Sequence, residues 1–153
     1  MASRILRAGI VTGIVDGLFS SVLVKFFYGS SVTRLWQGVA STLVGAKAID
    51  GGALFTALGV VMHFGVALAW SAVFVLVMMR FGWVQRLLHQ PGGFLTIASI
   101  YGPLIWLVMS LAIVPALTHR PPSITFRWWV QFFGHTPFVG LPIVAVSARK
   151  SPR

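Results

Sequence analysis

The chain has 153 residues, of which 57% are hydrophobic and 9% are charged, whereas soluble domains carry about 25% charged residues. A mean hydropathy of +0.88 therefore argues against a water-soluble globule. The lack of cysteine excludes disulfides, thiolate metal ligands and cysteine nucleophiles. The only acidic residues are Asp16 and Asp50, which leaves almost no room for a site built on several carboxylates.

Four apolar stretches are long enough to cross a membrane, whose hydrocarbon core of about 30 Å takes roughly 20 helical residues. They are continuously apolar rather than alternating, which argues against the strands of a membrane barrel. The sequence therefore predicts an all-α polytopic membrane protein, a single four-helix transmembrane domain over residues 1–153. The predicted transmembrane helices cover about 5–28, 53–79, 94–117 and 128–146.

The first stretch contains Gly9, Gly13 and Gly17 at a spacing of four residues. This pattern removes side chains from one stripe of the helix and lets another helix backbone approach closely. Basic residues precede the stretch, but Asp16 interrupts it and no A-x-A cleavage site follows, so we expect a retained helix rather than a signal peptide. Whether the stripe packs on a helix of this chain or on another chain stays open.

The segment between the first two stretches predicts an amphipathic helix at about 32–44. A serine pair precedes it and can cap it, Gly45 marks its end, and Gln37 falls on its polar face. We expect the helix to lie flat in the interface on the outer side of the membrane, with Trp36 pointing toward the acyl chains. The alternative is that its apolar face docks on a partner subunit.

The later stretches carry further packing signals. Gly65 and Ala69 repeat the small-residue spacing more weakly on the second predicted helix. Four prolines should kink the third and fourth helices or mark their ends. They are Pro103, Pro115, Pro137 and Pro142.

Basic residues orient the predicted bundle. Seven lie on the side of the N-terminus, the loop between the second and third helices, and the C-terminus: Arg4, Arg7, Arg80, Arg86, Arg149, Lys150 and Arg153. The opposite side holds Lys25, Arg34, Lys47, Arg120 and Arg127. The positive-inside rule then places both termini in the cytoplasm. The charge of +10 is thus mostly membrane-flanking and attracted to lipid headgroups, and its scatter among loops argues against nucleic-acid binding.

Tryptophans at the ends of the predicted helices are typical of an aromatic belt that anchors a protein at both interfaces. We expect Trp36, Trp83, Trp128 and Trp129 to be such interfacial anchors.

Asp16, His63 and His135 form the predicted intramembrane polar cluster. Asp16 follows Ile5 by eleven residues, or about 16 Å at 1.5 Å per residue, which is near mid-membrane. An ionised carboxylate there is costly and usually pairs or takes up a proton. His135 falls at a similar depth and His63 somewhat further outward, so we expect a buried pair of Asp16 with one of the two histidines.

Three interpretations of this cluster stay open. It can be a proton relay or substrate site, or a non-covalent haem can use His63 and His135 as axial ligands. The third is a structural polar clip that fixes the register of the helices, which most such groups are. No P-loop, nucleophile elbow, zinc-protease or dinucleotide motif occurs, so no enzyme, catalytic residue or metal site is predicted.

Short motifs, among them Leu35–Ser41, Ala57–Phe64 and His135–Ile143, resemble those of small bacterial inner-membrane proteins, with a more distant similarity to YagU-like proteins. The resemblance implies a bacterial inner-membrane origin and no chemistry. We expect a non-catalytic accessory subunit that binds membrane lipids and docks through its glycine stripe and interfacial helix onto a larger complex, respiratory or photosynthetic by analogy. The alternative is an autonomous small carrier, or a haem- or quinone-binding protein, that uses Asp16, His63 and His135.

Overall fold

The computed structural model describes residues 1–148, which form an all-helical bundle. Four of its helices are long and apolar enough to cross a membrane, which confirms the predicted fold class at that level. They are Ala2–Phe27, Ala53–Arg80, Gly93–Thr118 and Phe126–Ala148, and are called the first to fourth apolar helices below. Arg149, Lys150 and Arg153, which contribute to the predicted orientation, lie outside the described residues.

The helices are built from shorter segments. The first apolar helix comprises the α-helix Ala2–Val22 and a π turn, Leu23–Phe27. The connecting helix, Val32–Val44, is followed by a 3-10 turn, Ala46–Ala48. The second apolar helix comprises Ala53–Leu76 and Met78–Arg80, and the short helix Gly82–Leu88 leads to the third. The third comprises Gly93–Val108, Met109–Ile113 and Val114–Thr118, and the fourth Phe126–His135, Thr136–Gly140 and Leu141–Ala148.

Two prolines lie in or just after π turns of the third and fourth apolar helices. Pro115 lies just after the turn Met109–Ile113, and Pro137 lies inside the turn Thr136–Gly140. Proline has no backbone N–H and its ring crowds the carbonyl four residues earlier, so the regular α-helical hydrogen bond cannot form there. A wider turn relieves this conflict without ending the helix.

The glycine stripe of the first apolar helix packs against the second. A Cβ added at Gly9 would lie 2.5 Å from Cδ2 of Leu68, and one at Gly13 would lie 2.6 Å from the ring of Phe64. The stripe is buried, and side chains of the neighbouring helix fill the space that the missing Cβ atoms leave. The neighbour that the sequence left open is therefore the second apolar helix of the same chain.

The connecting helix also packs against the second apolar helix of its own chain. Ser31 caps its start by accepting a hydrogen bond from the N–H of Arg34, 3.1 Å away. Gly59 is buried against the backbone carbonyl of Trp36, where any Cβ would overlap. Gln37, expected on the polar face, is instead buried. Its Oε1 atom accepts a hydrogen bond from the backbone N–H of Asp50, and its Nε2 atom donates one to the carbonyl of Gly52.

A second close contact joins the third and fourth apolar helices. A Cβ on Gly102 would collide with the carbonyl of His135, and one on Gly140 with the carbonyl of Ala98. Tyr101 donates a 2.7 Å hydrogen bond to the carbonyl of Trp70 and so links the third helix to the second. Around these contacts lies the main buried apolar cluster: Phe74, Val84, Ile97, Ala98, Tyr101, Ile105, Val139, Ile143 and Val144.

Two glycines of the second apolar helix provide a matched test of this packing. Gly59→Ala forces the connecting helix away from the second apolar helix, and overpacking of this kind costs about 1–3 kcal/mol. A Cβ at Gly65 meets nothing within 4 Å, so Gly65→Ala should be neutral or slightly stabilising through helix propensity. Thermal unfolding of both variants in mild detergent measures the difference, and equal midpoints would contradict the docked position of the connecting helix.

Candidate functional site

Asp16 and His63 are brought together between the first and second apolar helices. Oδ2 of Asp16 lies 3.9 Å from Nδ1 of His63. Their side chains are 16% and 14% exposed, so water has limited access to the pair. Of the two pairings that the sequence leaves open for Asp16, the structure contains the one with His63.

Both ring nitrogens of His63 face other groups. Nε2 lies 2.9 Å from the carbonyl oxygen of Gly13, and Nδ1 faces Asp16. Since a carbonyl oxygen only accepts hydrogen bonds, Nε2 carries the proton and donates it. The contact with Gly13 depends on the glycine stripe, because the stripe lets the imidazole reach the backbone of the first helix.

Asp16 is poorly supplied with donors. Its Oδ1 atom is buried and has no hydrogen-bond partner, and Oδ2 has His63 as its closest ionic partner. A buried carboxylate oxygen without a donor loses its hydration without compensation. This asymmetry distinguishes Asp16 from Asp50, the other acid, which forms an exposed 3.4 Å ion pair with Arg34.

Trp36 of the connecting helix packs against His63. Its ring centroid lies 5.1 Å from that of His63, at an interplanar angle of 58°. A Cβ on Gly17 would lie 3.4 Å from both Cη2 of Trp36 and Nε2 of His63, so this glycine provides the space in which the two rings meet. Trp36, expected as an interfacial anchor, thus packs on a polar site inside its own chain.

His135 occupies the neighbouring side of the cluster. It is 8% exposed, and the neighbouring Gly134 lies against the ring of Phe19 on the first apolar helix. The Nδ1 atom of His135 donates to the carbonyl of Gln131 at 2.7 Å, and its ring packs on Trp106 with centroids 4.8 Å apart. Of the three polar residues predicted from the sequence, the structure brings Asp16 and His63 together at 3.9 Å, whereas the recorded contacts of His135 are with the third and fourth apolar helices.

The contacts of His63 restrict the haem alternative. An axial ligand needs a bare imidazole nitrogen, and His63 offers one to an iron only if it leaves Gly13 or Asp16. Within residues 1–148, no group of three or more histidine or acidic side chains converges in a way that could hold a metal ion.

The other tryptophans differ in their surroundings. Trp83 and Trp129 are 42% and 47% exposed, as lipid-facing anchors would be. Trp128 is 8% exposed, because its indole N–H donates to Oγ of Ser110 at 3.0 Å and its ring stacks on Phe132. It therefore joins the third and fourth apolar helices rather than facing outward.

Three contributors to the site were not predicted: the Gly13 carbonyl, the indole of Trp36 as a cover, and Gly59 as the docking point of the connecting helix. Their roles depend on which helices are neighbours. One signal was present in the sequence, because Gly17 lies one residue from Asp16 and leaves space for a large ring. Nothing in the sequence showed that the ring belongs to Trp36.

No family model, curated protein or solved structure matches this chain. The resemblance to small inner-membrane proteins therefore remains an expectation.

A double-mutant cycle tests the pair. Asp16→Asn and His63→Gln should each lower the free energy of unfolding, because each removes the electrostatic attraction between the two buried side chains. The double variant should lose less than the sum of the single variants, with a coupling of about 0.5–3 kcal/mol, as expected for residues in contact.

Asp50→Asn is the matched control, because it removes the other carboxylate from an exposed ion pair. Its effect should stay within about 1 kcal/mol. Thermal unfolding in mild detergent gives all these values. Strict additivity of Asp16→Asn and His63→Gln would show that the two side chains do not interact.

Proposed function

We propose that this chain is an integral protein of the bacterial inner membrane, with both termini in the cytoplasm, and that it acts as a non-catalytic accessory subunit of a larger membrane complex. Its four long apolar helices fit a membrane protein. Basic residues near the helix ends, such as Arg4 and Arg80, would bind anionic lipid headgroups.

The observation that carries the accessory role is a strip of small residues on the outer face of the second apolar helix. Ala57, Gly65 and Ala69 are exposed there. Val61 and Val73 continue the same spacing of four residues and are also exposed. Small residues at this spacing let another transmembrane helix approach closely, which drives association inside a membrane. This chain leaves the strip unused, since a Cβ on Gly65 would have no neighbour within 4 Å.

This strip replaces the two docking surfaces expected from the sequence. The stripe of Gly9, Gly13 and Gly17 faces Leu68, Phe64 and His63 of the same chain. The connecting helix packs on Gly59 and places Trp36 over His63. A partner subunit would therefore bind the second apolar helix on the side away from the first.

The alternative is an autonomous small carrier, or a haem- or quinone-binding protein, based on Asp16, His63 and His135. One observation favours it: Asp16 and His63 close on each other inside the chain. An autonomous protein needs no partner strip, so the two proposals differ in what accompanies the protein in its own membrane.

The test is the native mass of the tagged protein, extracted from its own host in mild detergent. The accessory role predicts stoichiometric partners. Ala69→Leu fills the strip and should weaken this association roughly ten- to a hundredfold, as a steric cost of about 1–3 kcal/mol implies. Ala112→Leu is the matched control, because it adds the same atoms to an exposed alanine of the third apolar helix.

Two results would contradict the accessory role. One is a protein that runs alone as a monomer or small homo-oligomer. The other is a complex that Ala69→Leu and Ala112→Leu leave equally intact, which would place the partner on another surface.

A further inference from the structure

The surroundings of Asp16 determine how many protons the site must hold. Nε2 of His63 donates to the Gly13 carbonyl, so a neutral His63 ring has a bare lone pair on Nδ1. That lone pair faces Oδ2 of Asp16 at 3.9 Å. Oδ1 of Asp16 is buried without a partner.

Three protonation states of the pair can be compared. Without a proton on either Asp16 or Nδ1, a carboxylate lies in apolar surroundings with a lone pair opposite it and no donor, which is the costly arrangement. With a proton on both, the imidazolium faces a neutral acid and its charge has no counterion in the pair. With one proton, the pair is either carboxylate with imidazolium or carboxylic acid with imidazole, and both forms are neutral overall.

We propose that Asp16 and His63 jointly bind one exchangeable proton inside the bundle, and that Trp36 covers this proton site. Trp36 lies over the His63 ring, and an aromatic ring packed against an imidazolium stabilises the positive charge. The ring of Phe64 meets that of His63 edge-on, with centroids 5.7 Å apart. The proposal does not depend on the accessory role.

The groups around the site are consistent with this assignment. From the fourth apolar helix, His135 keeps its Nδ1 proton on the Gln131 carbonyl. The connecting helix contributes the uncharged ring of Trp36, while its Arg34 pairs with Asp50. Asp16 is thus the acid of the site, and His63 is the base in contact with it.

Because the chain has so few acidic side chains, the protonation state of Asp16 can be measured separately. With Asp16 and Asp50 as the only acidic side chains, Asp50→Asn leaves Asp16 as the sole side-chain carboxyl group. In that variant of the full chain, in lipid bilayers at neutral pH, infrared spectroscopy distinguishes carboxylic acid from carboxylate at Asp16. Nitrogen NMR of labelled histidine gives the charge of the His63 ring, which His63→Gln identifies.

The expected sum of the two readouts is one proton: either an acid at Asp16 with a neutral His63, or a carboxylate with an imidazolium. A carboxylate with a neutral ring, or an acid with an imidazolium, would overturn the proposal. Added to the Asp50→Asn chain, His63→Leu should leave Asp16 as a carboxylic acid, because leucine offers no donor, and an ionised Asp16 there would also overturn it. The matched control His135→Gln should leave the count at one.

The cover is tested by hydrogen exchange. Trp36→Ala should speed replacement of the shared proton in D₂O, followed by the isotope shift of the infrared band. Trp36→Phe keeps a ring over His63 and should restore slow exchange, and Trp129→Ala, at an exposed tryptophan, should leave it unchanged. Equal exchange rates in Trp36→Ala and the unsubstituted protein would overturn the covering role.

Discussion

The hydrogen bond from His63 to the carbonyl of Gly13 forms because glycines let the first apolar helix lie directly against the second. Side chains on this stripe would push the helices apart and remove the acceptor from reach. The same approach leaves Asp16, one turn further along, facing the other nitrogen of the imidazole. The close packing that the glycine stripe allows thus places His63 next to Asp16 and the Gly13 carbonyl.

The connecting helix also packs closely because glycines leave space for it. Its backbone meets Gly59, and the space above Gly17 admits the indole of Trp36 next to His63. Gln37 fixes the helix by bonding backbone groups of Asp50 and Gly52. The glycine stripe of the first apolar helix and Gly59 of the second therefore both pack against other parts of the same chain. The strip around Gly65 is not used in this way, since a Cβ there would have no neighbour within 4 Å.

The long apolar helices could be predicted because length and hydropathy decide them, and the ends of the connecting helix followed from its serine cap and Gly45. The cluster of Asp16, His63 and His135 was recognisable because polar groups in apolar helices are costly. Which helices pack against each other could not be predicted, because the spacing of Gly9, Gly13 and Gly17 does not indicate which helix lies against them. The burial of Trp128 likewise depends on Ser110 of another helix, and amphipathicity alone gave Gln37 the wrong face.

Cysteine cross-linking tests the central arrangement most directly, because the chain contains no cysteine of its own. Asp16→Cys combined with His63→Cys should be joined within one chain by a short bifunctional thiol reagent in native membranes, because the two native side chains meet at 3.9 Å, and loss of both thiols in the monomer detects the link. Asp16→Cys combined with Val61→Cys is the matched control, since Val61 is 68% exposed and lies close in sequence on the outer face of the same helix. Equal cross-linking of the two pairs, or preference for Val61, would contradict the packing of the first and second apolar helices.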